Sequence, residues 1–188
     1  MIQTPKPLSD EFQVQLIEPE SYIKPKLLAE ISQLRQRVWQ EFHEHSAKAF
    51  NNVWLGEIDH KAYIWCIFHQ QQLVGSGRMS LHSTLEQIPD SFVFKGLEDF
   101  YPPLIASFNR LVIAPEFTRR GLAKFLMQSR LQKAFELGTR AVAIEAPLWR
   151  VPALQSLGFE HLKSTYSIRD YQLNTSAMRF CFNKIDIT

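Results

Sequence analysis

Two cysteines in 188 residues are too few for a disulfide framework. Cys66 and Cys181 both fall in apolar, strand-like runs, so both are expected to be buried and reduced, which suits a cytoplasmic protein. No apolar run approaches the roughly 20 residues a membrane helix needs. The longest, such as Ala62 to Phe68, fall far short. The opening Met1-Ile-Gln-Thr-Pro-Lys-Pro7 has no apolar stretch of the kind that directs secretion. A net charge of +2 is too small to argue for nucleic acid. The pattern G-x-x-x-x-G-K-[ST] is missing, which excludes a P-loop. Gly75-Ser-Gly77 begins like a dinucleotide fingerprint, but Ser80 holds the third glycine position and the segment reads as strand. His43-x-His45 has no cysteine or second histidine pair close by in sequence, so no metal site is expected.

What remains is an ordinary globular composition, 45% hydrophobic and 21% charged. The length fits one domain, expected over residues 13–188 behind an irregular arm at 1–12. Alternation predicts a strand over Phe12 to Ile17. Leu27, Leu28, Ile31, Leu34, Val38 and Phe42 recur at helical spacing and predict a helix from Pro25 to Phe42. Residues 43–60 have no period and read as a loop. Lys61 to His69 and Leu73 to His82 read as a hairpin, the first strand buried on both faces. Gly75 and Gly77 mark a bulge or a close approach within it. Residues 83–103 read as short helical pieces; Phe92, Phe94 and Phe100 there suit either core or the lining of an acyl channel.

Leu104 to Ile113 is the expected central strand, Arg119 to Leu137 its helix with Gly138 as the stop, and Arg140 to Glu145 the next, parallel strand. Pro147 to Leu157 reads as a short helix that Pro152 either delays to Val151 or kinks. Glu160 to Arg169 and Met178 to Ile187 are the last strands, with Tyr171 to Ser176 as a turn. The order gives an α/β fold: a central mixed β-sheet with helices on both faces.

The chain is organised around Ser107 to Leu126. An apolar strand stops at Ala114-Pro115, and Thr118-Arg-Arg-Gly-Leu-Ala-Lys124 opens a helix. A helix start presents unpaired N–H groups and a partial positive charge, so anions bind there. Arg119, Arg120 and Lys124 add full charges, Gly121 admits a phosphate close to the backbone, and Ala123 is small enough for tight packing. Thr118 is the expected N-cap. The pattern describes a pocket for a phosphorylated ligand.

These six positions, Thr118 to Ala123, resemble motif A of the GNAT N-acetyltransferases, [Arg/Gln]-x-x-Gly-x-[Gly/Ala]; Thr118 departs from the first position. Ala153-Leu-Gln-Ser-Leu-Gly-Phe159 resembles the family's Tyr-x-x-x-Gly-Phe, with Leu154 where the acidic tyrosine stands. The resemblance implies the GNAT acyl-CoA N-acyltransferase fold from about Leu16 to Ile187, and acetyl-CoA or another acyl-CoA as acyl donor, without a metal. It implies donor binding by the amides of Leu111, Val112 and Ile113 and by Arg119, Arg120, Gly121, Leu122, Ala123 and Lys124. The expected reaction is direct attack by an amine. Glu145, at the end of its strand, is the candidate base; its structural alternative is a helix cap or a pair with Arg150.

A second resemblance is to the acyl-homoserine-lactone and N-acyl amino acid synthases. Arg35, Val38 and Trp39 match their Arg-x-x-Val-Phe, with Trp for Phe. Glu57, Asp59 and Tyr63 match Glu-x-Asp and the tyrosine after it. Arg78 and Arg110 match two further arginines, and Ser107 replaces a glutamate. This implies acyl carrier protein as an alternative donor, longer acyl groups, and Arg78, Arg110, Asp59 and Trp39 as acceptor-binding residues. A domain that binds acyl-CoA without turnover is the third reading. No nucleic acid or membrane is expected as a partner, and an exposed final strand would offer a homodimer edge.

Overall fold

The structure is a computed structural model that describes residues 4–42, 55–167 and 173–182. His43 and His45 lie outside the described residues, as do 168–172 and 183–188. The described residues form seven strands: β1 (Phe12–Ile17), β2 (Tyr63–His69), β3 (Gln72–His82), β4 (Ile105–Ile113), β5 (Ala141–Pro147), β6 (Glu160–Ser167) and β7 (Leu173–Cys181). The helices are α1 (Pro25–Phe42), α2 (Glu57–His60), α3 (Leu122–Glu136) and α4 (Val151–Gln155). Main-chain pairing orders the strands β1-β2-β3-β4-β5-β7-β6, a mixed sheet in which β4 and β5 run parallel.

The chain divides into two compact units. One comprises Gln3–Ser80 and Arg110–Arg130. Its β2 carries the apolar run Ile64, Trp65, Cys66 and Ile67, all buried. α1 turns Ile31, Leu34 and Val38 inward, as its period requires. The register of β2 on β3 shifts between Ile67 and Phe68, so the strand containing Gly75 and Gly77 is bulged. Both glycines make room: a Cβ on Gly75 would lie 2.9 Å from Ile113 Cδ1, and one on Gly77 would lie 3.4 Å from the Arg130 guanidinium.

The other unit comprises Leu81–Asn109 and Leu131–Thr188, with the chain's first two residues. Ile105, Ala141, Ala143 and Ala177 lie under Leu85, Ile88, Val93, Phe94, Leu97 and Tyr101 of the segment 83–103. Phe94 is therefore core, whereas Phe92 and Phe100 stay partly open to solvent, at 38% and 44%.

Several expectations change. α3 starts at Leu122, not Arg119, because Arg119 has φ 62° and Gly121 φ 81°, both left-handed and unable to begin a helix. Thr118 is not an N-cap: its hydroxyl donates to the Pro115 carbonyl at 2.8 Å and closes a 3-10 turn over Pro115–Phe117. Ala123 is exposed rather than packed. β7 begins at Leu173, so the expected turn over 171–176 is strand from residue 173 on. β7 lies between β5 and β6, which removes it as a dimer edge. α2 occupies the end of the expected loop, and α4 starts at Val151 with Pro152 in its first turn, where a missing N–H costs little. Cys181 is exposed; Cys66 is buried, and burial pushes its thiol up to about 12. Gly138 does end α3, with φ 71° and its N–H on Phe135 O.

Candidate active site

Where β4 ends, Ala114 N–H bonds back to Val74 O at 2.8 Å, and the chain leaves the sheet. The 3-10 turn delivers it to Thr118, and the left-handed residues Arg119 and Gly121 flank Arg120. Arg119, Arg120, Gly121 and Lys124 are all exposed at the start of a 15-residue helix, and Leu122 is buried beneath them. A Cβ on Gly121 would meet nothing within 4 Å. The glycine is required by its φ, and the space in front of the backbone is open. Arg120 stacks over Phe117 at 5.1 Å and lies 3.6 Å from Glu11. A phosphate is the ligand such a turn suits: exposed guanidiniums, an ammonium and helix-start N–H groups on one short stretch.

Immediately upstream on β4 lie Arg110, Leu111, Val112 and Ile113; Val112 is buried and the other three are half-buried. Arg110 has φ 53° within the strand, a conformation that costs about 1–3 kcal/mol for a non-glycine residue and that concentrates at functional positions. In the same unit, Asp59 sits between two buried arginines. Its Oδ1 accepts from Arg35 Nη1 at 2.8 Å, and its Oδ2 accepts from Arg78 Nη1 at 2.9 Å and from Gly56 N–H at 2.9 Å. Arg35, Asp59 and Arg78 are exposed by only 0%, 2% and 3%. Burial pushes the Asp59 carboxyl up, but the two guanidiniums and the Gly56 N–H outweigh it and hold it below its ordinary value. Burial pulls Arg78 down to about 10 despite Asp59, helped by the charges of Arg35 and Arg110, and it stays protonated at neutral pH. Asp59 thus fixes the two arginines in place. Trp39 is half-buried on α1.

Sequence reasoning missed Arg130. It is 1% exposed, and its Nη1 donates to Arg78 O at 3.1 Å while Nε donates to Leu126 O at 3.1 Å. Its sequence trace is Gly77, which has no Cβ to crowd the Arg130 guanidinium.

In the other unit, Glu145 lies half-buried near the end of β5. The Thr175 hydroxyl donates to its Oε1, and its charge raises Arg150, which burial otherwise lowers. Leu154 is buried and apolar, and Ser156 donates to Ala153 O at 2.7 Å. Among the described residues, no group of three or more His, Cys, Asp or Glu is placed to hold a metal ion, and no helix is long and apolar enough to cross a membrane.

Residues 28–159 match the model of the acetyltransferase (GNAT) family. The chain belongs to that family. No curated sequence relative matches it. Among solved structures it is similar to BjaI, a CoA-dependent acyl-homoserine lactone synthase with SAM and isopentyl-CoA. That match has 15% identity and a TM-score of 0.71, and covers 94% of this chain and 86% of that one. It is similar to FeeM, an N-acyl amino acid synthase from uncultured soil microbes, at 11% identity and a TM-score of 0.68, with 90% of each chain covered. It is also similar to NAA60 of Arabidopsis thaliana in complex with acetyl-CoA, at 13% identity and a TM-score of 0.61, covering 90% of this chain and 98% of that one. At these identities the likeness establishes the fold: this GNAT chain has the acyl-CoA N-acyltransferase architecture.

Proposed function

We propose that this GNAT protein transfers an acyl group from acyl-CoA to the amine of a small acceptor that also carries an anionic group. The observation that carries the reading is the turn at Thr118–Gly121. Two left-handed residues, two exposed arginines and an open glycine precede a 15-residue helix directly after β4. The donor's phosphates suit Arg119, Arg120, Lys124 and the N–H groups of Gly121 to Ala123. The amides of Leu111 to Ile113 suit the amide-bearing arm that joins those phosphates to the thioester. An N–H there would also polarise the thioester oxygen.

Arg78 and Arg110 are the acceptor-binding arginines in this reading. Arg110 is partly open, and its charge reaches both Arg35 and Arg78. A carboxylate is the group that guanidinium forks recognise best. Asp59 and Arg35 position Arg78, and Trp39 contributes apolar contact. Glu145 receives the first proton, the one an ammonium must lose before it can attack. The donor contributes its thioester and a thiolate of fair leaving ability; the chain's residues bind, orient and move protons.

Release of free thiol tests the reading, with acetyl-CoA or octanoyl-CoA as donor and a mixture of the twenty amino acids or spermidine as acceptor. Amino-acid-dependent release that falls at least tenfold in Arg110→Ala supports it. Binding of donor without release under any pairing would reduce the protein to an acyl-CoA-binding domain. The half-open Phe92 and Phe100 favour a longer acyl group as a second reading, with acyl carrier protein as its donor. Preference for octanoyl over acetyl transfer would support the longer chain.

A further inference from the structure

One arginine assigned to the donor's phosphates already has an anion beside it. Arg120 Nη1 lies 3.6 Å from Glu11 Oε2. Glu11 stands just before β1, far from Arg120 in the chain, and the fold brings the two together at the turn that follows β4. The same carboxylate has two other partners. Its Oε1 accepts from the Ser9 hydroxyl at 2.9 Å, and its Oε2 lies 3.4 Å from His69 Nε2 at the end of β2. Ser9, Glu11, His69 and Arg120 all belong to the unit of Gln3–Ser80 and Arg110–Arg130.

A cluster of rings seats both charged groups. Phe12 pairs with His69 across the β1–β2 ladder, and their ring centroids are 5.6 Å apart. Phe117, from the 3-10 turn, lies 5.0 Å from His69 and 6.2 Å from Phe12. Phe117 is buried, and Arg120 stacks over it. The residue next to Glu11 therefore packs on the residue beneath Arg120. Packing of these rings carries the carboxylate to the start of α3.

The ion pair itself is open and long. The side chains of Arg120 and Glu11 are 47% and 45% exposed. Charge-assisted hydrogen bonds span about 2.7–2.9 Å, so at 3.6 Å the carboxylate holds the guanidinium by charge more than by a formed bond. A pair of this kind contributes little stability and gives way to a better partner. A phosphate is that partner, because two of its oxygens can meet the guanidinium fork directly. When the carboxylate leaves Arg120 it is not stranded, since the Ser9 hydroxyl and the His69 imidazole remain beside it.

We propose that Glu11 is a built-in competitor of the acyl donor. In the free protein it occupies Arg120 as a stand-in for phosphate. Donor phosphate takes its place, and Glu11 withdraws to Ser9 and His69. The stack on Phe117 and the charge of Glu11 together keep Arg120 at the turn before a ligand arrives. Displacing Glu11 costs part of what Arg120 contributes, so the donor binds less tightly than the turn alone would allow. The donor and the thiol left after transfer carry the same phosphates. The competitor therefore also weakens retention of the product.

This inference rests on the reading of the Thr118–Gly121 turn as the phosphate site, and the experiment separates the two. Free CoA is titrated calorimetrically into wild type, Glu11→Gln, Arg120→Ala and the double variant at low salt. Glu11→Gln keeps the size of the side chain and an oxygen for Ser9 while removing the charge. It should bind CoA about two- to fivefold more tightly than wild type, the range an exposed ion pair supports. In the Arg120→Ala background the same substitution should change affinity by less than about 1.5-fold, because the competitor has nothing left to occupy. The tightening should fade as salt rises toward about 0.5 M. Unchanged or weaker binding by Glu11→Gln overturns the proposal. Equal tightening with and without Arg120 also overturns it, since the carboxylate would then repel the donor at a distance without occupying the arginine. No CoA binding by wild type, or wild-type affinity in Arg120→Ala, would sink the phosphate-site reading and this inference with it. CoA binding that needs Arg120 and ignores Glu11 sinks the inference alone.

Discussion

Replacing Asp59 by Asn changes almost nothing in volume and removes one charge. The consequence should be large. Each carboxylate oxygen holds a different buried guanidinium, at 2.8 Å from Arg35 and 2.9 Å from Arg78. An asparagine has one acceptor oxygen for two cations, and its amide N–H₂ would face the second. Arg35 and Arg78, both nearly inaccessible, would lose the anion between them. Breaking a buried ion pair by removing one partner costs about 3–5 kcal/mol. For a chain of this size each kcal/mol shifts Tm by roughly 2–4 °C, so Asp59→Asn should lower Tm by about 6–20 °C. The triple replacement Arg35→Met, Asp59→Leu, Arg78→Met leaves no orphaned charge and should recover most of the stability, since apolar substitutes for a buried ionic cluster are often neutral. Urea unfolding with a two-state fit is the assay. A loss below about 1 kcal/mol for Asp59→Asn would refute the buried-cluster reasoning. So would a triple variant less stable than Asp59→Asn.

The same carboxylate sets a pH dependence. Its pKa is depressed in the folded state relative to the unfolded chain, so its stabilisation is fully present above the ordinary aspartate value. That stabilisation is lost as pH falls through the folded value. Unfolding free energy measured from pH 6 downward should therefore drop below about pH 4 in wild type, with a smaller drop in the triple apolar variant. Gly121→Ala places a Cβ at φ 81°, which costs about 1 kcal/mol in stability because the surrounding space is open, while weakening acetyl-CoA affinity through the altered turn. Melting and calorimetric titration separate the two effects. Glu145→Gln should reduce turnover at least tenfold with donor affinity unchanged; unchanged turnover would remove Glu145 from the proton path.

Much of the fold was legible because it rests on period and punctuation. The helix over Pro25–Phe42 follows from apolar residues three and four apart, the β2 strand from an unbroken apolar run, and the end of α3 from Gly138. What escaped depends on conformations or neighbours that a one-dimensional pattern does not carry. Nothing in an Arg-Arg pair announces that Arg119 takes a left-handed φ and delays the helix by three residues. The early start of β7 comes from pairing with β5 and β6 along its length, which overrides the polar Asn174, Thr175 and Ser176. Asp59 and Arg78 follow from the resemblance to the acyl-homoserine-lactone synthases, but their burial against Arg35 emerges only when α1, α2 and β3 come together. Glu11 and Arg120 lie far apart in the chain, and only the packing of Phe12 on Phe117 makes them a pair.

The most direct test is calorimetric titration of the purified protein with acetyl-CoA, octanoyl-CoA and free CoA, wild type beside Arg119→Ala/Arg120→Ala. The turn at the start of α3 predicts saturable binding of all three by wild type, and a loss of tenfold or more in the double variant at low salt, shrinking as ionic strength rises. A double variant that binds CoA as tightly as wild type would contradict the assignment of this turn as the phosphate site.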